Sequence, residues 1–374
     1  MDPLAHTLVG AALARTRLAR GVPYATTTLV AAANLPDVDV LANVFGSDAA
    51  LAFRRGPTHG PLGWLLLPPL LVAIVALATR HRRARSGSPL PTATLLSLAY
   101  LGALTHPLLD LLNVYGVRLL SPFSNRWYYG DALFIVDPWF WLILGCAVFL
   151  VREPTRRALA LWSAAAAGAT YLLFTQPTPP WSRTLWSASL PAAIAFRLAR
   201  RDALRRRREA IATAALAVWL LYVGGMVAAS RAAESAVARE LARQGVAPVE
   251  RSMVAPVRVD PRLRDVVVQI PDGYRFGRYS LATGELRLEA GLEPKPPETP
   301  EIRAALADPS VRGFVAWARF PFVRTTGAGD RTRVDLLDGR FAREVPTSGL
   351  RFGVATVEVP APGNADGPRP NDGR

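Results

Sequence analysis

Residues 92–114 read TATLLSLAYLGALTHPLLDLLNV. The stretch is long enough for a helix that crosses a bilayer, which needs about 20 mostly apolar residues. Its only charged or imidazole side chains are His106 and Asp110, which come near its end. Ionisable groups inside a membrane segment are costly and usually functional. The stretch therefore predicts a membrane helix that carries part of a polar site.

The rest of the chain supports a membrane protein. Of its 374 residues, 51% are hydrophobic and only 20% charged, and the mean hydropathy is +0.19, which is more apolar than an average soluble domain. Residues 4–19 could span the membrane, re-enter it or lie at its surface. We expect an all-α polytopic membrane domain of about seven or eight apolar helices over residues 1–229. The further apolar stretches are 25–45, 61–79, 133–151, 158–175, 184–196 and 210–229.

The composition changes near residue 230, after which it is typical of a soluble protein. Residues 231–244 are predicted to continue the last helix out of the membrane, and 264–270 and 350–359 alternate as strands do. Residues 293–300 form a proline-rich loop. We expect a small α+β domain over residues 230–359 and a disordered tail over 360–374.

The distribution of arginine predicts the orientation. Alternate connections, around residues 15–20, 80–85, 152–157 and 197–208, hold 17 arginines, whereas the other connections hold 5. Since basic residues favour the cytoplasmic side, the soluble domain should be periplasmic or extracellular, and the chain a multi-pass protein of the bacterial inner membrane. Orientation explains these arginines, so nucleic acid is not expected as a direct partner. The single cysteine, Cys146, excludes disulfides and thiolate metal sites.

The polar residues that interrupt the apolar stretches map to one side of the membrane in this topology. Three of the four histidines are among them, whereas His81 lies between arginines and is interpreted as a bystander. The set is His6, Asn34, Asp37, Asp39, His59, His106, Asp110, Asn113, Asp131 and Asp137.

The spacing of several of these residues along the sequence indicates metal binding. His106 and Asp110 are four apart, so they share one helix face and could reach the same ion. The alternative is a hydrogen-bonded pair that joins two helices. Asp37 and Asp39 follow a break at Pro36. If that segment is extended, only one of them points into the site, and we favour Asp37. The alternative for this segment is a solvated helix end.

Two loops complete the candidate site. His59 lies in the sequence RRGPTHG, residues 54–60, where glycine and proline favour a tight loop, and Arg55 could bind a phosphate. The loop of residues 122–139 carries Arg126, a second phosphate-binding candidate, and Asp131 and Asp137. Carboxylates directly before an apolar run either cap a helix or bind something. The tryptophans and tyrosines of this loop are typical membrane-interface anchors.

Imidazole and carboxylate ligands without thiolate fit Zn²⁺, and also Mn²⁺ or Fe²⁺. A bound metal of this kind would activate water for hydrolysis. The candidate ligands are His6, Asp37, His59, His106 and Asp110, with Asp39 as a further ligand or a group that supports one. The candidate catalytic residues are Asp131, Asp137, Arg55 and Arg126.

In order and spacing, these motifs resemble the YdjM/YbcI-type inner-membrane metal-dependent hydrolase family over residues 1–150. The motifs are His6, Pro36–Asp39, Arg55–His59, His106–Asp110, Pro122–Ser124 and Asp137-Pro138. That family is similar to the zinc-dependent phospholipase C and nuclease superfamily, so the resemblance implies hydrolysis of a phosphate ester. Many members have histidine where this chain has Arg54, which implies fewer metal ions here.

The function expected from the sequence is a membrane-bound metal-dependent hydrolase, a phosphoesterase that acts on a phospholipid or lipid-linked phosphate. One alternative is an ion-coupled transporter, which should also carry polar residues in the inner halves of its spans. Few are present there. The other alternative is a structural membrane protein in which the metal only joins helices.

Overall fold

The computed structural model describes residues 1–151, 155–175, 178–246, 248–342 and 352–361. Arg152, part of the 350–359 strand prediction and most of the 360–374 tail lie outside these ranges. The N-terminal region is helical. Its helices are α1 (Pro3–Leu13), α2 (Ala25–Asn34), α3 (Ser47–Phe53), α4 (Pro61–Ser86), α5 (Thr92–Leu111), α6 (Pro138–Val151), α7 (Arg156–Thr175), α8 (Pro180–Ala199), α9 (Arg201–Arg206) and α10 (Arg208–Arg243).

Among the described residues, five segments are long and apolar enough to cross a membrane: Ala25–Phe45, α4, α5, α7 and α10. The helices α1 and α6 are apolar but shorter. Helical membrane architecture is therefore confirmed, but the count of seven or eight spans is not. The predicted 133–151 span is shortened because Asp137 caps α6, which begins at Pro138.

The predicted 25–45 span is not one continuous α-helix. Its second half, Leu35–Phe45, is a 3₁₀ helix that begins where α2 ends. Pro36 accounts for this change, since proline is tolerated at a helix start but disrupts a helix interior. The change in geometry brings Asp37 and Asp39 to the end of α2 that lies beside α5.

The membrane region has two main groups of buried apolar residues. One joins α1, α6, α7, α8 and α10 around Phe140 and Leu144, and the other joins α2, α4 and α5 around Leu95. Large apolar side chains on the outside of these helices remain exposed, as at Leu77 and Leu221. An apolar outer surface of this kind suits contact with lipid tails.

The C-terminal region contains two antiparallel sheets. The strands β1 (Arg251–Pro256), β2 (Leu263–Ile270), β3 (Gly273–Ser280) and β4 (Leu286–Leu288) pair in this order, and β5 (Glu293–Pro294) pairs with β3. The second sheet is β6 (Pro321–Ala328), β7 (Arg331–Asp338) and β8 (Val354–Pro360). In the chain, α11 (Pro300–Ala307) and α12 (Arg312–Trp317) come between the strands of the two sheets, and α11 packs on β7 and β8. The predicted helix extension and the 264–270 strand are confirmed.

The C-terminal region is joined to the helical region by α10 and by the packing of α12 on α3. The final turns of α10 pack Ala233, Val237 and Leu241 against β1 and β2. The helix α12 packs on α3, where the backbone N–H of Phe314 donates to Asp48 Oδ1 at 3.1 Å. The two regions therefore meet beside the loops that follow α2 and α5.

Candidate metal centre

Four of the predicted ligands converge at the ends of α2 and α5. Asp37, His59, His106 and Asp110 each offer one ligand atom, and these atoms lie within 4.8 Å of one another. His59 Nε2 lies 3.8 Å from Asp37 Oδ1 and 3.3 Å from Asp110 Oδ2. His106 Nε2 lies 3.6 and 3.5 Å from the same two oxygens.

These separations can be compared with those of a bound metal. Tetrahedral zinc with bonds of about 2.0–2.2 Å holds its ligand atoms about 3.3–3.6 Å apart. The four measured separations lie in or just above that range, and the other two pairs of ligand atoms lie within 4.8 Å. The four residues thus fit a divalent ion with nitrogen and oxygen ligands.

Unsatisfied polar atoms give independent support for a metal. Within the described structure, His59 Nε2, His106 Nε2 and Asp110 Oδ2 are buried and have no hydrogen-bond partner. Such groups are rare, because an unpaired buried polar atom loses its hydration without compensation. Both Nε2 atoms lie within 3.5 Å of Asp110 Oδ2, so a metal bound there could take all three atoms as ligands.

The other nitrogen of each ring is held by a neighbour. His106 Nδ1 donates to the Ala33 carbonyl at 2.7 Å, which leaves Nε2 free as a ligand atom. His59 Nδ1 lies 3.0 Å from Thr58 Oγ1 and 3.5 Å from Asp39 Oδ2. Burial lowers the pKa of His59, which favours the neutral ring. These contacts orient both imidazoles as metal ligands are usually oriented.

Asp39 lies beside this group of four rather than in it. Its carboxylate accepts the backbone N–H of Arg55 at 2.7 Å and a short bond from Arg54. The structure therefore places Asp39 where it supports His59. Arg54 also pairs with Asp37 at 3.0 Å, a contact that the sequence analysis did not anticipate.

His6 is the fifth predicted ligand and lies next to the group. Its ring stacks on His106 with centroids 3.7 Å apart, and His6 Nε2 is 3.5 Å from Asp110 Oδ1. Neither ring nitrogen has a hydrogen-bond partner in the described structure. His6 therefore lies against the group of four but is not a member of it.

The two predicted phosphate-binding arginines differ in position. Arg55 is buried, and its guanidinium lies 2.9 Å from Asp110 Oδ1 and donates to Asn113 Oδ1 at 3.1 Å. Arg126 lies on an exposed loop, where its guanidinium stacks on Tyr128. Of the contacts described for these two arginines, only those of Arg55 include a residue of the group of four.

The carboxylates of Asp131 and Asp137 form their hydrogen bonds with residues outside the group of four. Both oxygens of the Asp131 carboxylate accept from Nη1 of Arg319 in the C-terminal region, at 2.8 and 3.1 Å. Asp137 accepts from the first backbone N–H groups of α6 and from Tyr222 Oη at 2.7 Å. Both carboxylates thus have structural partners, and of the two sequence interpretations for Asp137 the helix cap is the one that these contacts match.

A buried arginine of the C-terminal region supports the site, and sequence reasoning missed it. Arg340 pairs with Asp338 and donates to the carbonyls of Val114 and Tyr115, at 2.9 and 3.2 Å. The Tyr115 ring in turn lies against the Arg55 guanidinium, 4.4 Å from ring centre to carbon. No sequence signal links residue 340 to residue 55, because the contact depends on how two distant regions pack.

Close backbone contacts fix the loop that carries His59. A Cβ at Gly60 would lie only 2.0 Å from the Ser121 carbonyl oxygen, and one at Gly63 would lie 2.1 Å from that of Thr58. Glycine is therefore required at both positions, since any larger residue would displace the loop. This explains the glycine after His59 in the sequence motif.

Comparison with known proteins supports the resemblance drawn from the motifs. Residues 1–179 match the family model described as YdjM inner membrane protein. No curated protein and no solved structure gives a significant match. The match and the apolar helices together support a multi-pass protein of the inner membrane.

Proposed function

We propose that the helical region, similar over residues 1–179 to the YdjM inner membrane protein family, is a metal-dependent hydrolase of phosphate esters. The proposal rests above all on the convergence of Asp37, His59, His106 and Asp110. A bound Zn²⁺, or Mn²⁺ or Fe²⁺, would act there as a Lewis acid and lower the pKa of a water toward about 7.

The exposure of the four side chains indicates where a substrate would enter. Those of His59, His106 and Asp110 are fully buried, whereas that of Asp37 is 13% exposed. Arg54 pairs with Asp37 and is itself 25% exposed. A phosphate that approached from this side would meet the Arg54 guanidinium first, and Arg55 lies deeper, against Asp110. The two arginines would then bind and orient the anionic group.

The surroundings of this opening favour a lipid or lipid-linked substrate. The 3₁₀ helix that carries Asp37 also exposes Leu41, Val44 and Phe45, the last of them by 81%. An apolar surface next to an arginine would suit a molecule with a phosphate head and a hydrocarbon tail. We therefore propose a phospholipid or lipid-linked phosphate as the substrate class.

The test compares the purified full-length protein with His106→Ala and Asp110→Ala. Loss of one ligand of four should weaken zinc binding by more than about 100-fold, since loss of an outer partner alone costs about 10- to 100-fold. Hydrolysis of a chromogenic phosphodiester and of phospholipid in mixed micelles should be lost with it. The spans keep their apolar content, so both variants should still insert.

His81→Ala is the matched control, because His81 is exposed near the far end of α4 from His59. It should bind metal and hydrolyse substrate as the wild type does. Protein that binds metal through these residues without hydrolysing any phosphate ester would support the structural alternative. Protein that binds no metal at all would refute the proposed centre.

A further inference from the structure

Two neighbouring cavities at one end of the helical region are lined by many arginines. Their volumes are about 570 and 1290 Å³, and they meet at the ion pair of Arg20 with Glu209. We call them together the arginine groove. Its charged lining residues are Arg15, Arg17, Arg20, Arg205, Arg206, Arg207, Arg208 and Glu209.

The arginine groove lies at the membrane face opposite the metal centre. The helix α10 begins in the groove at Arg208 and reaches Ser230, whose hydroxyl donates to the Asp131 carbonyl on the metal side. At about 1.5 Å per residue, these 22 positions cover about 33 Å, close to the hydrocarbon thickness of about 30 Å. The groove is therefore separate from the proposed catalytic site.

The charges in the groove are far from balanced. Apart from Arg15 and Arg205, which have other contacts, five arginines line the groove beside one carboxylate. That carboxylate, Glu209, is already held by Arg20, whose Nε donates at 2.7 Å. Arg17 lies 3.9 Å from the same carboxylate and is 85% exposed. Like charges crowded in this way repel one another, so binding of an anion would relieve the repulsion.

Part of the wall of the groove is apolar, and this favours an anion that carries a hydrocarbon chain. Leu13 and Leu18 line it from the α1 side, and Leu216 and Ala217 line it from α10. A free phosphate or a nucleic acid would leave this apolar wall unused, whereas a phospholipid would cover it with an acyl chain. Basic pockets between membrane helices are known to suit anionic lipid headgroups.

From the charge and the apolar wall, we propose that the arginine groove binds an anionic phospholipid. Its headgroup phosphate would lie among Arg17 and Arg206–Arg208, and one acyl chain would lie along Leu13 and Leu216. The site would take its lipid from the leaflet on the side that the arginine bias predicts to be cytoplasmic.

The test measures binding of phosphatidylglycerol and of phosphatidylcholine to the purified full-length protein by native mass spectrometry. The wild type should prefer phosphatidylglycerol. The triple variant Arg17→Gln, Arg206→Gln, Arg207→Gln should lose about fivefold in affinity per arginine, from about 1 kcal/mol for each. The matched control is Arg80→Gln, Arg82→Gln, Arg85→Gln, at the end of α4 on the same face but outside the groove, and it should bind as the wild type does.

Glu209→Gln tests the same idea with the opposite sign. This variant removes the carboxylate that holds Arg20, so it should raise the affinity for phosphatidylglycerol. If the triple variant fails to insert, the affinity of Glu209→Gln tests the proposal instead. The proposal would be overturned if the wild type bound phosphatidylglycerol and phosphatidylcholine equally well. It would also be overturned if the control variant lost as much affinity for phosphatidylglycerol as the triple variant does. Displacement of the lipid by inorganic phosphate or by a short DNA duplex would overturn it too, in favour of those ligands.

Discussion

Replacement of Arg340 by methionine tests whether the C-terminal region supports the metal centre. Methionine keeps much of the apolar stem but removes the guanidinium that pairs with Asp338 and donates to the carbonyls of Val114 and Tyr115. The Asp338 carboxylate would then be buried with only backbone donors, among them the N–H of Arg319 at 2.7 Å.

The magnitude follows from the burial of this pair. Both side chains are fully buried, and removal of one partner from a buried ion pair costs about 3–5 kcal/mol. For a chain of 374 residues, an unfolding entropy of about 2.1 cal/mol/K per residue means that a loss of 1 kcal/mol lowers Tm by a little over about 1 °C. The decrease should therefore be roughly 4–6 °C. Zinc affinity should fall as well, by about 10- to 100-fold, because Tyr115 would no longer hold Arg55 beside Asp110.

The assay is thermal unfolding of the detergent-solubilised protein, followed by zinc titration. Arg287→Met is the matched control, since Arg287 donates to Glu285 at 2.7 Å but both side chains are largely exposed. Exposed pairs contribute little, so the control should keep the wild-type Tm and zinc affinity. If Arg340→Met behaved like this control, the reasoning about the C-terminal support would be refuted.

Three further results are expected. A reporter fused after Arg231 should be active only if it works outside the cytoplasm, because of the 17 to 5 arginine bias; a cytoplasmic signal would reverse the topology. Gly60→Ala should lower zinc occupancy at least tenfold, since its Cβ would lie 2.0 Å from the Ser121 oxygen, whereas Gly168→Ala, with open space around it, should not; equal effects would contradict this account of the loop. Elemental analysis should find about one or two transition-metal ions and not three, because Arg54 stands where the resemblance implies a histidine; active protein without metal would exclude the proposed chemistry.

The residues of the metal centre could be predicted because their signals are local. Proline after α2 and the four-residue spacing of His106 and Asp110 each depend on a few neighbouring positions. Apolar runs place such positions at helix ends, and three histidines on one face leave few other interpretations. The convergence of Asp37, His59, His106 and Asp110 follows from these signals together.

The supporting contacts could not be predicted because they join distant parts of the chain. Asp131 bonds to Arg319, which is 188 residues away, and Arg340 reaches the Tyr115 carbonyl from 225 residues away. The resemblance implied that Arg54 replaces a histidine ligand, but the pairing of its guanidinium with Asp37 depends on the folded structure.

The helix α10 is a mechanical link between the two sides of the protein. Its 36 residues make a rod about 54 Å long, so a rotation of about 5° at one end shifts the other by about 5 Å. Helix tilt responds to bilayer thickness, and the far end of the rod packs against β1 and β2. A thinner or thicker membrane would thus move the sheet. The helix would bend most easily at Gly224 and Gly225, near its middle. A bend there would reduce the movement that reaches the sheet.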